Sequence, residues 1–336
     1  MDKDFIVNIP KAELHVHIEG TFEPELMFAI AKRNHISVPY KTVAEVHAAY
    51  HFSDLQSFLN IYYQSMNVLQ NEQDFYDLMM AYLQKAHTQN IRHAEIFFDP
   101  QAHLKRGIAF ETVIKGLQQA VKDAEKKLPI SAKLIMCFLR DLSEEDAIKT
   151  LQQALPYKES IVAVGLDSAE KNNPPSKFKK VYDMARSEGF LAVAHAGEEG
   201  PPSYIWEALD ILKVKRIDHG VRCMEDARLV EHLVKEQIPL TVCPLSNIKL
   251  RVFDKMQDHP LKKMLAANLC ATINSDDPAY FGGYIDANMT AVQTALGITE
   301  KDFYQLEKNA FLGSFITDEE KQRYLKELDK FYKNNG

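Results

Sequence analysis

The chain has 336 residues and a formal charge of −7, from 40 Lys and Arg against 47 Asp and Glu, and 46% of its residues are hydrophobic. These are ordinary globular values, and they exclude a disordered chain, a collagen-like repeat and a coiled-coil rod. A net negative chain without a basic stripe is also a poor candidate for binding nucleic acid. The length suits two average domains or one α/β barrel, and we interpret residues 1–336 as a single domain.

Membrane and secretion signals are missing from the sequence. No uninterrupted apolar run is longer than that of Leu134 to Leu139, which is far shorter than the ~20 residues that span a bilayer. The first residues carry two acids and no apolar core typical of a signal peptide. Four scattered cysteines without a CxxC pair fit a reducing compartment. We therefore predict a cytoplasmic protein without a membrane partner, and the sequence carries no signal of its oligomeric state.

Short apolar or β-branched runs alternate with helical patterns along the chain. The eight predicted strands cover residues 13–17, 93–98, 132–139, 161–166, 191–195, 216–219, 239–242 and 269–274. The helical patterns that separate most of them cover residues 110–127, 144–154, 177–189, 204–213, 225–237 and 260–268. This alternation predicts a parallel sheet, and eight strands in this length favour an α/β fold of the (β/α)₈ TIM-barrel type. No GxGxxG follows the first strand, which counts against a dinucleotide-binding fold.

The connection between the first two strands is too long for one helix. It contains helical patterns at residues 24–34, 55–69 and 72–89, with many aromatic residues. Two interpretations stay open: a helical insertion over the C-terminal mouth of the barrel, where lids and specificity elements lie, or helices packed against the barrel's side. Residues 301–336 predict two closing helices.

Candidate functional residues gather at the ends of four predicted strands, which is where the active sites of such barrels lie. These residues are His15, His17, His195, Glu198, His219, Asp276 and Asp277. Because alternate strand residues point the same way, His15 and His17 project together, as imidazole ligands of a divalent metal do. One His-x-His pair is a weak signal, and Asp-Asp-Pro alone is typical of a turn. The coincidence at four strand ends predicts a metal site.

Four segments resemble signatures of the adenosine/adenine deaminase family, within the amidohydrolase superfamily. They are residues 10–20 (PKAELHVHIEG), 195–198 (HAGE), 218–220 (DHG) and 274–278 (NSDDP). They occur in the family's order, and the match spans residues 10 to 281. The resemblance implies a zinc-dependent (β/α)₈ barrel that hydrolyses the exocyclic amine of a purine.

The resemblance also implies roles for individual residues. The implied ligands of one Zn²⁺ per chain are His15, His17, His195 and Asp276. Glu198 would donate a proton to ring N1, and Asp277 would hydrogen-bond ring N7. His219 would orient the metal's water, take its proton and stabilise the developing oxyanion. We give Glu199 the role of an exposed acid at a helix N-terminus, and we expect Asp218 to cap or pair structurally.

The substrate prediction rests on departures from the adenosine deaminase pattern. Adenosine deaminases usually have Asp where this chain has Glu19, whose extra methylene would occupy room that a ribose needs. Residues 198–202 and 275–284 resemble the adenine deaminases of this fold. Glu170 stands where adenosine deaminases carry a glycine that meets ring N3, and we also take Gly165, near the end of the fourth strand, as a candidate substrate-binding residue. We therefore predict an enzyme of purine salvage that binds a small purine base and converts adenine to hypoxanthine and ammonia.

Four alternatives stay open. The same chemistry in a roomier pocket would convert adenosine to inosine, and a pocket open near C6 would accept N6-substituted purines. A binuclear amidohydrolase commonly has a bridging lysine at the end of the fourth strand, whereas this strand ends in Asp167 with no lysine before Lys171. A non-catalytic barrel predicts the loss of at least one site residue, yet all are present.

Overall fold

Eight parallel strands, each paired with the next in chain order, form one sheet in the computed structural model, which describes residues 3–335. They are β1 Lys11–His17, β2 Ile91–Phe98, β3 Ser131–Leu139, β4 Ile161–Asp167, β5 Leu191–Ala196, β6 Arg216–His219, β7 Leu240–Val242 and β8 Ala271–Ile273. A parallel bridge between Val16 and Asp276 joins the last strand to the first. The predicted (β/α)₈ barrel is confirmed, and β8 is shorter than residues 269–274.

The helices lie mainly between the strands. The α-helices of the described residues are α1 Lys3–Asn8, α2 Pro24–Arg33, α3 Val43–Ala49, α4 Leu55–Ser65, α5 Glu72–Thr88, α6 Pro100–Leu104, α7 Phe110–Lys127, α8 Glu144–Ala154, α9 Lys179–Ser187, α10 Pro202–Glu207, α11 Ala227–Glu236, α12 Pro244–Lys249, α13 Leu261–Ala266, α14 Pro278–Phe281, α15 Ile285–Leu296, α16 Glu300–Gly313 and α17 Asp318–Asn335. The last two are the predicted closing helices. No helix within residues 3–335 is both long and apolar enough to cross a bilayer.

The long insertion after β1 divides between the two positions that the sequence left open. Helix α4 covers the mouth, because Leu55, Phe58 and Tyr62 line the cavity there. Helix α5 packs against the outer side of the barrel, on α7. At Gly116 of α7, an added Cβ would lie 2.3 Å from the carbonyl oxygen of Glu72, so only glycine allows this contact.

The interior of the barrel is packed with apolar side chains and ion pairs along most of the strands, and it opens into a cavity at the C-terminal ends of the strands. A cluster of fully buried side chains fills part of the interior: Phe97, Ile135, Cys137, Ala163 and Val193. The Arg216 guanidinium is also fully buried and donates to the Glu95 carboxylate. This packed floor supports the strand ends that carry the predicted site. The interpretation of residues 1–336 as one domain stays a prediction.

Candidate metal centre and active site

The four predicted metal ligands come together above the packed floor. Asp276 Oδ1 lies 3.2 Å from His15 Nε2 and 3.5 Å from His17 Nε2. The Nε2 atom of His195 lies 3.2 Å from that of His17. Main-chain pairing fixes the geometry, since the His17 N–H donates to the carbonyl of Asp276 at 2.9 Å and the Asp276 N–H donates to the carbonyl of His15 at 3.1 Å.

The protonation of the histidines suits a cation. His15 Nδ1 lies 2.9 Å from the Thr241 hydroxyl, which donates to Asp218 Oδ1 at 2.9 Å. Since the hydroxyl proton is committed to Asp218, His15 Nδ1–H must donate to Thr241, which leaves the Nε2 lone pair facing the centre. His15 Nε2 is buried without a hydrogen-bond partner. Burial lowers the pKa of His17 to about 4, so its imidazole is neutral near pH 7.

These contacts test whether the residues fit a metal. The Nε2 atoms of three imidazoles and a carboxylate oxygen converge at 3.2 to 3.5 Å, and the lone pair of His15 Nε2 faces this centre. Such a buried arrangement is unfavourable unless a cation satisfies it, and this donor set is the one that zinc prefers. One ligand atom from each of His15, His195, His219 and Asp276 also lies within 4.8 Å of the other three. The structure therefore contains a candidate metal site.

Asp218 supports this centre from below, as a structural pairing partner. Its carboxylate accepts from Thr241 and lies 3.5 Å from Arg216 Nε. Its other oxygen lies 3.8 Å from His195 Nδ1. The predicted pairing role fits these contacts, and Asp218 also orients two of the candidate ligands.

A chain of hydrogen bonds sets the tautomer of His219. The backbone N–H of Leu261 donates to His259 Nδ1 at 3.2 Å, so the His259 proton is on Nε2. That Nε2–H lies 3.1 Å from Asn247 Oδ1, and the Asn247 amide nitrogen lies 3.4 Å from His219 Nδ1. Because the amide nitrogen can only donate, His219 Nδ1 accepts and the neutral ring carries its proton on Nε2.

The His219 Nε2–H faces the reacting centre as a donor. It lies 3.5 Å from Glu198 Oε2 and 3.8 Å from Asp276 Oδ2. Burial lowers the pKa of His219 to about 3, so the ring is neutral near pH 7. In this tautomer Nε2 has no free lone pair, and the role of His219 as a group that takes a proton there stays a prediction. The ring is suited to donating to a developing oxyanion.

Glu198 is a buried carboxyl group with a free oxygen. It is 4% exposed, and its Oε1 has no hydrogen-bond partner. Burial raises the pKa of Glu198 well above its usual range, and the Asp276 and Glu170 carboxylates raise it further. A carboxyl group kept protonated near pH 7 can donate a proton to a ring nitrogen, which is the predicted role.

Glu170 holds the loop that carries Glu198, and the sequence analysis missed this role. Its carboxylate is 1% exposed. It accepts from four successive backbone N–H groups, those of residues 197, 198, 199 and 200, at 2.7 to 3.1 Å. The signal in the sequence is the segment AGEEG, whose N–H groups need an acceptor when the loop is buried.

Glu199 differs from its prediction for the same reason. The loop clamped by Glu170 continues to α10, which begins only at Pro202. Glu199 therefore does not stand at a helix N-terminus, and its side chain, only 9% exposed, pairs with Lys171 Nζ at 2.9 Å.

Asp277 has room to reach the cavity because Gly20, in the turn that follows β1, has no side chain. A Cβ at Gly20 would lie 2.0 Å from Asp277 Oδ1, so a larger residue would displace this carboxylate. Asp277 Oδ1 is buried without a partner, as a substrate-binding atom would be. Burial, followed by the adjacent Asp276 carboxylate, raises the pKa of Asp277 well above its usual range.

Two predicted substrate-binding residues lie outside the cavity lining. Glu19 Oε1 accepts from the backbone N–H of Asp99 at 3.1 Å and lies 2.9 Å from His103 Nε2. Gly165 lies within β4, where an added Cβ would meet Cys137 Sγ at 2.6 Å. Gly165 thus gives room to the barrel interior, and Glu19 acts on the cavity through Asp99.

The cavity itself contains residues that the sequence analysis did not select. Its atom-free space is ≈ 380 Å³, part of it open to solvent. Besides the predicted groups, its lining includes Leu59, Tyr62, Tyr63, Asp99, Asp167 and Leu250. Asp99 follows β2 in an Asp-Pro step, the same sequence signal that marks Asp277 after β8. Asp167 Oδ2 lies 3.5 Å from His17 Nδ1 and orients that ring.

Comparisons with known proteins agree with this geometry. Residues 10–331 match the sequence profile of the family described as adenosine deaminase. A protein of Acinetobacter baylyi named adenine deaminase is 59% identical over 97% of this chain and 98% of its own length. The crystal structure of an adenine deaminase from Arthrobacter aurescens superposes with a TM-score of 0.95, at 52% identity over 97% of this chain and 99% of that one.

Another similar protein was solved with bound zinc. An amidohydrolase from Burkholderia ambifaria, solved with bound Zn, has a TM-score of 0.90 and 25% identity, and the match covers 99% of this chain and 94% of that one. It is the neighbour that bears on the identity of the cation.

Proposed function

Because the chain belongs to the adenosine deaminase family, we propose that it hydrolyses the exocyclic amine of adenine and releases hypoxanthine and ammonia. The observation that carries the proposal is the convergence, in one buried cavity, of four metal-type ligands and a carboxyl group that has an unpaired oxygen and a pKa raised by burial. The substrate follows from relatives named adenine deaminase at 58% to 59% identity over nearly the whole chain. These relatives favour adenine over the alternatives of adenosine and N6-substituted purines.

The proposed metal is one Zn²⁺. The residues that would hold it are His15, His17, His195 and Asp276. The zinc-containing relative supports zinc as the metal. When bound, zinc lowers the pKa of a water molecule to near neutrality and so supplies a nucleophile for C6 of the purine.

The protein's own groups complete the reaction. Glu198 donates a proton to N1, which lets the aromatic ring accept water at C6. The His219 Nε2–H stabilises the negative charge that develops on the attacking oxygen. Asp277, protonated through burial, donates to N7 and keeps the ring in register with C6 at the metal. The ionised Glu198 carboxylate then takes the proton of the new C6 hydroxyl and passes it to the exocyclic amine, which leaves as ammonia and gives hypoxanthine.

The test is a pair of ultraviolet turnover assays on adenine and adenosine, with zinc measured on the same sample. We expect turnover of adenine, and we expect it to stop after dialysis against a chelator and to return when zinc is added. Preference for adenosine would contradict the proposed substrate, but the proposed hydrolytic deamination would still stand. Turnover of neither purine by zinc-loaded protein would contradict the proposed reaction.

A further inference from the structure

Three buried polar atoms in the cavity have no partner among the described residues and no role in the reaction proposed above. They are Asp99 Oδ1, Asp167 Oδ1 and the Tyr62 hydroxyl. Asp99 is 2% exposed and Tyr62 is 3% exposed. Buried polar groups in native proteins are nearly always paired, so an unpaired set that lines a cavity indicates polar atoms of a ligand.

The position of Asp99 makes its carboxyl group notable, because that group lies beside the Asp167 carboxyl group and still leaves its Oδ1 atom unpaired. Asp99 precedes α6 at the N-cap, where an Asp side chain normally accepts from the first turn, yet it makes no such bond. Asp277 stands in the same relation to α14 and also makes no capping bond. Both side chains therefore forgo a local partner and face the cavity. The backbone N–H of Asp99 is held by Glu19, which fixes where the carboxyl group stands.

The shape of the substrate says which atoms would meet these groups. The proposed reaction places C6 at the metal, N1 at Glu198 and N7 at Asp277. In a purine ring N3 lies opposite C6, and N9 is joined to N3 through C4, so the N3–N9 edge points away from the metal. A free base offers an acceptor at N3 and an N–H donor at N9. A nucleoside has a sugar carbon in place of that hydrogen.

We propose that Asp99 and Tyr62 form a subsite for the N3–N9 edge, in which Tyr62 donates to N3 and Asp99 accepts from N9–H, so that the site selects a free purine base over a nucleoside. The inference rests on the proposed function and names its specificity residues. Asp99 offers an acceptor oxygen whether or not it is protonated. A site built to bond a substrate N–H rejects analogues that lack it, because its buried group is then left unpaired.

The first test compares adenine with 9-methyladenine, which lacks the N9–H and adds only a methyl group. Where 9-methyladenine is not turned over, its inhibition constant against adenine gives its affinity. We expect Asp99→Ala to lower kcat/KM for adenine by about 10- to 100-fold and to change the affinity for 9-methyladenine by less than about threefold. Asp99→Asn, which keeps an acceptor oxygen, should recover most of the loss. Asp141→Ala, which removes an exposed carboxyl group that follows β3 on the same rim, is the matched control.

The second test uses two adjacent tyrosines with different hydroxyl partners. The Tyr63 hydroxyl donates to Ser168 Oγ at 3.2 Å, whereas that of Tyr62 is unpaired. We expect Tyr62→Phe to weaken turnover of adenine about tenfold and to leave turnover of 3-deazaadenine, which lacks N3, unchanged. Tyr63→Phe should affect both substrates equally. This test remains decisive if Asp99→Ala fails to fold.

Two results would overturn the subsite. One is an Asp99→Ala variant in which kcat/KM for adenine and the affinity for 9-methyladenine are both unchanged or both fall by the same factor. The other is a Tyr62→Phe variant with equal losses on adenine and 3-deazaadenine. Either result leaves the wild-type turnover of adenine intact, so the failure of this inference is distinct from the failure of the proposed function.

Discussion

Glu198 carries the proton that the ring must receive, whereas the amide of a glutamine at this position could not give up a proton to N1. Glu198→Gln keeps the size of the side chain and its contacts, so we expect wild-type zinc content and thermal stability. Turnover of adenine should fall by about a thousandfold or more, since general acid catalysis contributes about 10²- to 10⁴-fold. Glu199→Gln is the matched control, because Glu199 is the next residue, lies outside the cavity lining and pairs with the exposed Lys171. A Glu198→Gln enzyme with most of its activity would remove Glu198 from the proton-donor role.

The tautomer of His219 depends on the neutral side-chain amide of Asn247, which donates a hydrogen bond to His219 Nδ1. Asn247→Asp would replace the Asn247 N–H with a carboxylate oxygen, which accepts from both neighbouring histidines. The His219 proton would then move to Nδ1, and Nε2 could no longer donate a hydrogen bond. We expect kcat to fall by about 10- to 100-fold with little change in KM.

Nitrogen NMR of the histidine rings gives a direct readout of this relay. Wild-type His219 should be the Nε2–H tautomer, and the Asn247→Asp variant should be the Nδ1–H tautomer. Wild-type protein with the proton on Nδ1 would contradict the relay, and would support the predicted role of His219 as a group that accepts a proton at Nε2.

At the scale of elements, the loop after β5 depends on a single carboxylate. Glu170→Gln would place an amide N–H against backbone N–H groups that now bond Oε1 or Oε2. Glu198 would then leave its place relative to the ring, so we expect kcat to fall by about 10- to 100-fold, with zinc content and KM close to wild type. Spectra and thermal unfolding should show that the barrel remains folded.

Two further variants sharpen this test. Glu144→Gln changes a carboxylate that accepts from one backbone N–H, that of Val181 at 3.0 Å, away from the cavity, and it should leave kcat unchanged. Gly200→Ala places a Cβ 2.5 Å from Glu170 Oε1 and disturbs the same clamp while keeping the charge. A Glu170→Gln enzyme with wild-type kcat would show that the loop holds Glu198 without the clamp.

The sequence specified the elements unevenly, for physical reasons. Strands of five or more apolar residues and amphipathic helices such as α7 and α8 have a period that can be counted, and both helices lie where we predicted them. The one-turn helices α6, α12 and α14 escaped prediction because four to six residues are too short to show a period. Their Pro in the first turn was the available signal.

The site could be predicted where a residue of a metal-binding or acid–base type stands at the end of a predicted strand. His15, His17, His195 and Asp276 met these conditions, and the fold brings them together. Glu170 could not be recognised in this way, because its role lies in backbone N–H groups that no residue type reveals. Asp99, Tyr62 and Asn247 come from loops, an insertion and a short helix, whose position relative to the metal centre is set only by tertiary packing.

At the scale of the whole molecule, the barrel separates stability from chemistry along its axis. The end that carries the metal centre and cavity contains buried polar atoms without partners, among them Asp99 Oδ1 and Glu198 Oε1. Such groups cost stability until a ligand satisfies them. Below them, the apolar cluster and the ion pair of Arg216 with Glu95 stabilise the fold. Binding of metal and substrate should therefore raise stability, since both bind only the folded state.

The ion pair of Glu95 predicts how stability depends on pH. Burial alone would raise the pKa of Glu95, but the Arg216 guanidinium and the neighbouring His93 outweigh burial and lower this pKa to about 2. The folded pKa is thus below the unfolded value of 4.5. The ionised carboxylate therefore stabilises the protein fully above pH 4.5, and this stabilisation is lost as pH falls towards 2.

Glu95→Gln tests this dependence through urea unfolding of metal-free protein at pH 7, 5 and about 3.5. The variant removes the carboxylate that accepts from the buried Arg216 and leaves only the Asp218 carboxylate, 3.5 Å from Arg216 Nε, so we expect a loss of about 3 to 5 kcal/mol at pH 7. The difference from wild type should narrow as the pH falls, because only the wild type has a carboxylate to protonate. Glu327→Gln is the control, since Glu327 pairs with Arg92 at the surface, where a pair contributes about 0 to 1 kcal/mol. A difference that stays constant from pH 7 to about 3.5 would contradict the lowered pKa of Glu95.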